Sequence, residues 1–275
     1  MRLIIVVFLF TSVAFGQKTY QKNQFESASM SSEGWIENNL KTDYWKFYHK
    51  NGQLSRQGYF KNNKQDGFWY FYDSEGNLYK KGNYKDGKKT GYWKTYINNR
   101  LNEEGYYASG KETKYWKFYH SNGKLKEEGN YNNGLKTKHW KKYHTTGHLE
   151  KEGDFLGGKA SGYWKFYYKD GQLAKDGPFK FGKFTSYWQF YGPNGKKLSE
   201  GSFVNGKKAN WWLFYDTNEN VNHKCQLDNN QKNGYCLMYK NKKLISAIKY
   251  SKGKQIKEWT DLATFRKENK FSDLK

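Results

Sequence analysis

The sequence predicts an all-β chain: an elongated, single-layer antiparallel β-meander of about ten two-stranded hairpin repeats. Three observations carry this. Trp recurs at 45, 69, 93, 116, 140, 164, 188 and 212, in steps of 24 residues with one step of 23. Eleven residues before each Trp stands a Gly, at 34, 58, 82, 105, 129, 153, 177 and 201. Five residues after that slot comes Gly or Asn in all ten copies: Asn39, Asn63, Gly87, Gly110, Gly134, Gly158, Gly182, Gly206, Asn230 and Gly253. Only Gly and Asn enter the left-handed region at low cost, so this position marks a tight turn.

The elements follow in order. Residues 1–16, MRLIIVVFLFTSVAFG, have an early Arg, an apolar run too short to span a bilayer, and small residues at Ala14 and Gly16. They read as a cleaved secretory signal, which places the mature chain outside the cytoplasm. Residues 17–33 lack the repeat and read as a flexible lead-in. The array runs over 34–262, with Cys225 in the Gly slot and Cys236 in the Trp slot of the ninth unit. A further step of 23 reaches Trp259, which is expected to cover Ile248 in the tenth Gly slot. A second turn recurs at Asn51-Gly52, Glu75-Gly76, Asn122-Gly123, Thr146-Gly147, Asp170-Gly171 and Asn194-Gly195. Residues 263–275 form a C-terminal cap or tail, where Thr260 or Asp261 can cap a short helix through Leu262 and Phe265.

Alternation sets the faces. In Gly67-Phe68-Trp69-Tyr70-Phe71-Tyr72, Trp69 and Phe71 point one way and Phe68, Tyr70 and Tyr72 the other. Parity puts Gly58 and Phe60 on the Trp face, where the indole can fold over the bare glycine. Repetition turns each position into a ladder of rings, and stability becomes a sum of neighbour contacts.

Composition limits function. Aromatics make up 20% of the chain, mean hydropathy is −1.14, and the net charge is +23, of which only Arg2 lies in the leader. Strands of about six or seven residues with lysines in mid-strand argue against an outer-membrane barrel. The Tyr-Lys face is the candidate binding surface: Tyr44, Lys46 and Tyr48 recur as Tyr92, Lys94 and Tyr96, as Tyr115, Lys117 and Tyr119, and as Tyr163, Lys165 and Tyr167. Turn lysines Lys64, Lys88, Lys111, Lys159, Lys183, Lys207 and Lys254 add a stripe that attracts polyanions; Lys88, Lys111, Lys159 and Lys207 are the chosen test positions. Bases among aromatics also suit single-stranded nucleic acid, but export argues against that partner. An irregular apolar spot at Phe181 and Phe184 is a second candidate contact.

Catalytic and metal sets are not expected. Glu104, Glu128, Glu152 and Glu200 form a repeating column expected to pair with lysines on the adjacent strand, not a singular acid in a pocket. His49, His120 and His144 share one slot, and neighbouring copies stand about 9–10 Å apart, too far for one ion. His144 and His148 straddle a turn without a carboxylate or Cys to complete a set. No cofactor is implied.

Segments such as GNYKDGKKTGYWKTY (82–96) and GSFVNGKKANWWLFY (201–215) resemble MORN repeats, in the longer variant of bacterial YwqK-type antitoxin proteins. The resemblance covers 34–262. It implies a twisted sheet of hairpins and a non-enzymatic binding or scaffolding role. The expected function is an exported scaffold that binds a protein or an anionic envelope component, lipid headgroup or glycan. The alternative is a neutralising partner of a toxin or effector, although an antitoxin acts in the cytoplasm and this chain carries an export signal.

The two cysteines occupy slots that lie on one face of the hairpin elsewhere, so a cross-strand disulfide is expected in the oxidising compartment. If Asn229 to Lys232 form a four-residue loop, they face each other. If Asn229-Asn230 alone form the turn, they sit diagonally, near the limit of permitted Cα separation.

Overall fold

The structure is a computed structural model, and it describes residues 17–270; the leader at 1–16 lies outside the described residues. The described residues form a sheet of 22 strands, antiparallel and in meander order, and one helix. The chain divides into two compact units. One holds the described residues up to Asn99 with Tyr107–Gly110, the other Arg100–Tyr106 and Lys111 onward.

The first unit contains β1 (Thr19–Gln24), β2 (Met30–Glu37), β3 (Leu40–Tyr48), β4 (Leu54–Lys61), β5 (Lys64–Tyr72), β6 (Leu78–Lys85) and β7 (Lys88–Ile97). Turns alternate between two types. Between β4 and β5, Asn62 and Asn63 both have positive φ (50° and 63°), and Lys61 pairs directly with Lys64. That is a two-residue type I′ turn, whose twist matches the strands it joins. Between β3 and β4, Gly52 has φ 84° and donates its N–H to the His49 carbonyl at 2.9 Å, closing a longer turn. Each I′ turn also hangs on its neighbour: the Gly87 N–H donates to the Gln65 carbonyl at 2.9 Å.

Strands are longer than the sequence suggests, mostly eight to ten residues, because each hairpin carries a bulge. Gly58 faces Trp69, but the next pair is Tyr59 with Asp66, so Gly67 and Phe68 have no partner on that side. Gly67 takes φ 75° there. The Trp completes this defect. Trp69 Nε1–H donates to the Tyr59 carbonyl at 3.0 Å, supplying a donor where the ladder has lost one. In the second unit Trp140 does the same to Asn130 (3.0 Å) and Thr137 (3.2 Å), with Lys138 at φ 59°. The two extra residues preserve parity, so Gly and Trp share a face.

The glycine leaves room for the ring. A Cβ on Gly58 would stand 2.4 Å from the Trp69 indole, and one on Gly129 2.3 Å from Trp140. Trp45, Trp69, Trp188 and Trp212 are fully buried although the sheet is one layer thick. Neighbouring rings and lysine stems roof them. Phe60 meets Trp69 edge-on at 5.1 Å, Phe155 meets Trp164 at 5.1 Å, and Phe203 meets Trp212 at 5.1 Å.

Three places depart from the expected array. Residues 19–24 are not a loose lead-in but β1, paired with β2 so that Gln21 faces Gly34; Tyr20 meets Trp35 edge-on at 5.1 Å, which gives the strand something to pack on. At the other end, Trp259 does not cover Ile248. Between Lys243–Ser251 and Lys254–Trp259 only one residue, Ile256, is inserted, so Trp259 pairs with Ala247 and parity inverts. Its indole joins Tyr235, Leu237 and Phe265 on the opposite face, where helix α1 (Leu262–Glu268), capped by Asp261, docks Phe265. Phe184 is not a surface spot: it packs on Trp188 at 4.2 Å, Phe179 at 4.8 Å and Phe203 at 5.0 Å, while Phe181 at the turn is 68% exposed.

Candidate binding surfaces

On the Tyr-Lys face, the repeat brings Tyr and Glu together rather than Lys and Glu. Lys46 stands opposite Glu33 in register, as Lys117 and Lys141 stand opposite Glu128. The contacts to the carboxylates are nonetheless made by tyrosine hydroxyls fifteen residues along the chain. Tyr48 donates to Glu33 (2.6 Å), Tyr119 to Glu104 (2.6 Å), Tyr143 to Glu128 (2.7 Å) and Tyr167 to Glu152 (2.9 Å); Tyr215 bonds Glu200. A rigid phenol of fixed length reaches the carboxylate diagonally across the strands. Glu200 adds Lys197 at 2.9 Å, from its own strand and not from the adjacent strand as expected, and Glu152 adds His139 at 3.4 Å.

Some clasps draw a second tyrosine, while Glu152 draws His139 instead. Tyr163 donates to Asp176 at 2.7 Å, and Tyr115 bonds Glu128. Burial, then these bonds, push the Tyr115, Tyr163 and Tyr167 hydroxyls up to about 12. The partners move the other way. The Tyr48 bond holds Glu33 below its ordinary value, and at Glu152 the bonds from Tyr167 and His139 outweigh the opposing effect of burial. Tyr44 meets Tyr59 edge-on at 5.0 Å, Lys94 Nζ lies 5.8 Å from the Tyr92 ring, and Lys81 Nζ lies 5.8 Å from the Tyr96 ring. Lys165 stands between Glu152 and Asp176 in register. Within each unit the predicted surface residues therefore share a face, but its carboxylates claim the hydroxyls of Tyr48 in the first and of Tyr119, Tyr163 and Tyr167 in the second. The Tyr163 ring, 53% exposed, is accessible to a partner.

The turn lysines are exposed in both units. In the first, Lys64 and Lys88 follow their I′ turns; in the second, Lys111, Lys159, Lys183, Lys207 and Lys254 do. Successive turns touch: a Cβ on Gly87 would lie 3.9 Å from the Lys64 Cβ, and one on Gly206 3.6 Å from that of Lys183.

A second set of cations escaped the sequence reasoning. The residue after the turn-lysine slot lies on the Trp face, and where it is Lys it covers the indole. Lys41, Lys89, Lys136 and Lys208 place Nζ 4.7, 4.9, 3.9 and 4.0 Å from the centroids of Trp45, Trp93, Trp140 and Trp212. Burial lowers the Lys41 and Lys208 pKa values. The signal was in the sequence as a Lys seven residues after the Gly slot at 41, 89, 136 and 208.

The shared histidine slot serves the backbone. His49, His120 and His144 donate through Nε2–H to the carbonyls of Tyr72, Tyr143 and Tyr167 at 2.9, 2.9 and 3.2 Å. Among the described residues no three His, Cys, Asp or Glu side chains cluster as a metal site.

Cys225 and Cys236 are joined by a disulfide, with Cα atoms 4.0 Å apart. The turn is the two-residue form, Asn229 and Asn230 at φ 50° and 72°, yet the cysteines face each other. The diagonal placement expected for that turn fails because the bulge between Cys225 and Leu227 shifts the register. This unit has no indole to donate to the bulge carbonyl; here Gln226 Oε1 instead accepts the Tyr235 N–H at 2.8 Å.

Among solved structures, the chain resembles TcdB2-TccC3 at TM-score 0.19 and 11% identity, over 87% of this chain and 15% of that one. TcdB2-TccC3-Cdc42 resembles it at TM-score 0.20 and 11% identity, over 83% and 14%. The chain spans about one seventh of the length of either. No curated protein matches it. Five segments, residues 44–62, 65–86, 112–133, 161–181 and 185–205, match the MORN repeat variant, so the chain carries MORN-type repeats.

Proposed function

We propose that this protein is an exported, non-enzymatic scaffold that docks an anionic envelope component, or a protein with an acidic surface, along its basic and aromatic faces. The observation that carries this is the turn-lysine column. Lys64 and Lys88 in one unit, and Lys111, Lys159, Lys183 and Lys207 in the other, stand exposed on turns fixed to their neighbours by backbone bonds. A fixed row of like charge raises the local potential and attracts polyanions. The disulfide suits the oxidising compartment to which the leader would send the chain. The carboxylates argue for structure over chemistry: a general acid needs a raised pKa, and Glu33, Glu152 and Glu200 are lowered.

The test is co-sedimentation of the full chain with envelope membranes across a salt series. Changing Lys88, Lys111, Lys159 and Lys207 together to Gln should weaken association about tenfold at low salt and flatten its salt dependence. Association unchanged at every ionic strength would leave those lysines a role in solubility alone. Capture of one protein that survives high salt would favour the neutralising role instead.

A further inference from the structure

The Trp face of the first unit is not closed along its whole width. A groove of about 680 Å³ opens between β2 and β6, within the range of small-molecule sites. Phe47 and Phe71 line it with Arg56, Lys80, Tyr79 and Tyr84, and no Asp or Glu takes part.

Register explains the arrangement. Phe47 pairs with Arg56, Arg56 with Phe71, and Phe71 with Lys80, so one row across four strands alternates ring and cation. The Arg56 guanidinium carbon lies 4.5 Å from the Phe47 centroid, and Lys80 Nζ 4.4 Å from that of Phe71. Among the described residues neither cation pairs with a carboxylate. In the second unit part of the same row is charge-paired, Lys142 with Glu150 at 2.7 Å and Lys136 with Glu127 at 2.5 Å, while Lys151, Phe166, Lys175 and Phe190 repeat the ring-and-cation alternation. Burial and the nearby charge of Lys89 lower the Lys80 pKa, so an incoming anion would relieve a real cost.

We propose that this groove binds an acidic oligosaccharide, a chain of sugar rings bearing carboxylates. Arg56 and Lys80 sit two strands apart, about 9–10 Å. A pyranose ring is about as long as one interstrand spacing, so carboxylates on alternate sugars match the two cations. Tyr79, 40% exposed, and the half-buried Phe47 offer apolar surface to the C–H faces of the sugars, while Phe71 is buried beneath Lys80. Guanidinium recognises carboxylate through paired N–H donors. The ring-and-cation row lies on the Trp face and does not use the turn lysines, although the clasp residue Tyr48 also lines the groove.

The experiment is calorimetric titration of the full chain with trigalacturonate, maltotriose and inorganic phosphate at low salt. Saturable trigalacturonate binding is expected, with maltotriose and phosphate each weaker by at least about tenfold, the worth of one charge-assisted hydrogen bond. Arg56→Gln and Lys80→Gln should each weaken trigalacturonate by about tenfold, and Lys80→Arg should retain it. Circular dichroism checks that each variant folds. The variant with four turn lysines changed to Gln should bind trigalacturonate within about twofold of the parent, since distant sites act independently. Equal affinity for maltotriose or phosphate, no saturable binding, or unchanged affinity in both single variants would overturn the groove assignment. A loss confined to the turn-lysine variant would overturn it too, while supporting the turn column.

Discussion

Replacing Gly58 by Ala tests the central packing unit. The new Cβ would stand 2.4 Å from the Trp69 ring, over 1 Å inside ordinary contact, and the ring is walled by Phe60 at 5.1 Å. Trp69 must move, which breaks its 3.0 Å bond to the Tyr59 carbonyl and leaves that bulge oxygen unpaired. Overpacking of about 1–3 kcal/mol, about 1 for the hydrogen bond and about 1 for ring contacts suggest a loss of about 3–5 kcal/mol. Gly58 is not among the positive-φ glycines, so backbone strain contributes nothing. Gly52→Ala is the control: open space surrounds it, but φ is 84°, so the cost is about 1–2 kcal/mol from conformation alone. The decisive assay is a double-mutant cycle with Trp69→Val, read by amide exchange in β4 and β5, because repeat arrays need not unfold in two states. In the Val background Gly58→Ala should cost under about 1 kcal/mol. An equal cost in both backgrounds would refute the claim that the glycine exists to admit the indole.

Two further outcomes follow from the same structure. Breaking the Cys225–Cys236 bridge, which closes a short loop of sequence separation 11, should cost about 3 kcal/mol, and the intact unreduced protein should show no alkylatable thiol by mass spectrometry. The clasps make stability pH-dependent at both ends. Glu33, Glu152 and Glu200 titrate below their ordinary 4.5 in the folded chain, so their contribution is present above that value and fades as pH falls through the lowered ones. Tyr115, Tyr163 and Tyr167 rise from 10 to about 12, so theirs is present below 10 and lost as pH climbs towards 12. Thermal unfolding across pH should show both edges, and Tyr167→Phe should shift the acid edge; an unchanged acid edge would show that the clasp with Glu152 adds no stability.

The sequence by itself determined the class of fold, the turns and the two faces. Gly or Asn at every fifth position after the Gly slot could only be a left-handed turn, and all of them, from Asn39 at 63° to Gly253 at 84°, have positive φ. Alternation placed Trp69 and Phe71 inward and Phe68 outward because a strand offers two sides and no more. The bulge was hidden because its left-handed position holds Gly67 and Gly91 in some copies but Asp43, Lys114, Lys138 and Asn210 in others. Its cost is met by an indole bond from a distant slot, which local propensity does not contain. The tyrosine clasps were hidden for a related reason: Lys46 and Glu33 are neighbours in register, but which side chain reaches a carboxylate depends on length and direction across strands. The last unit makes the division plainest. A count of residues between turn and Trp259 reads the same as in every other copy, yet one inserted residue instead of two sends the ring to the opposite face. Pairing between strands decides parity, and only the tertiary structure fixes that pairing.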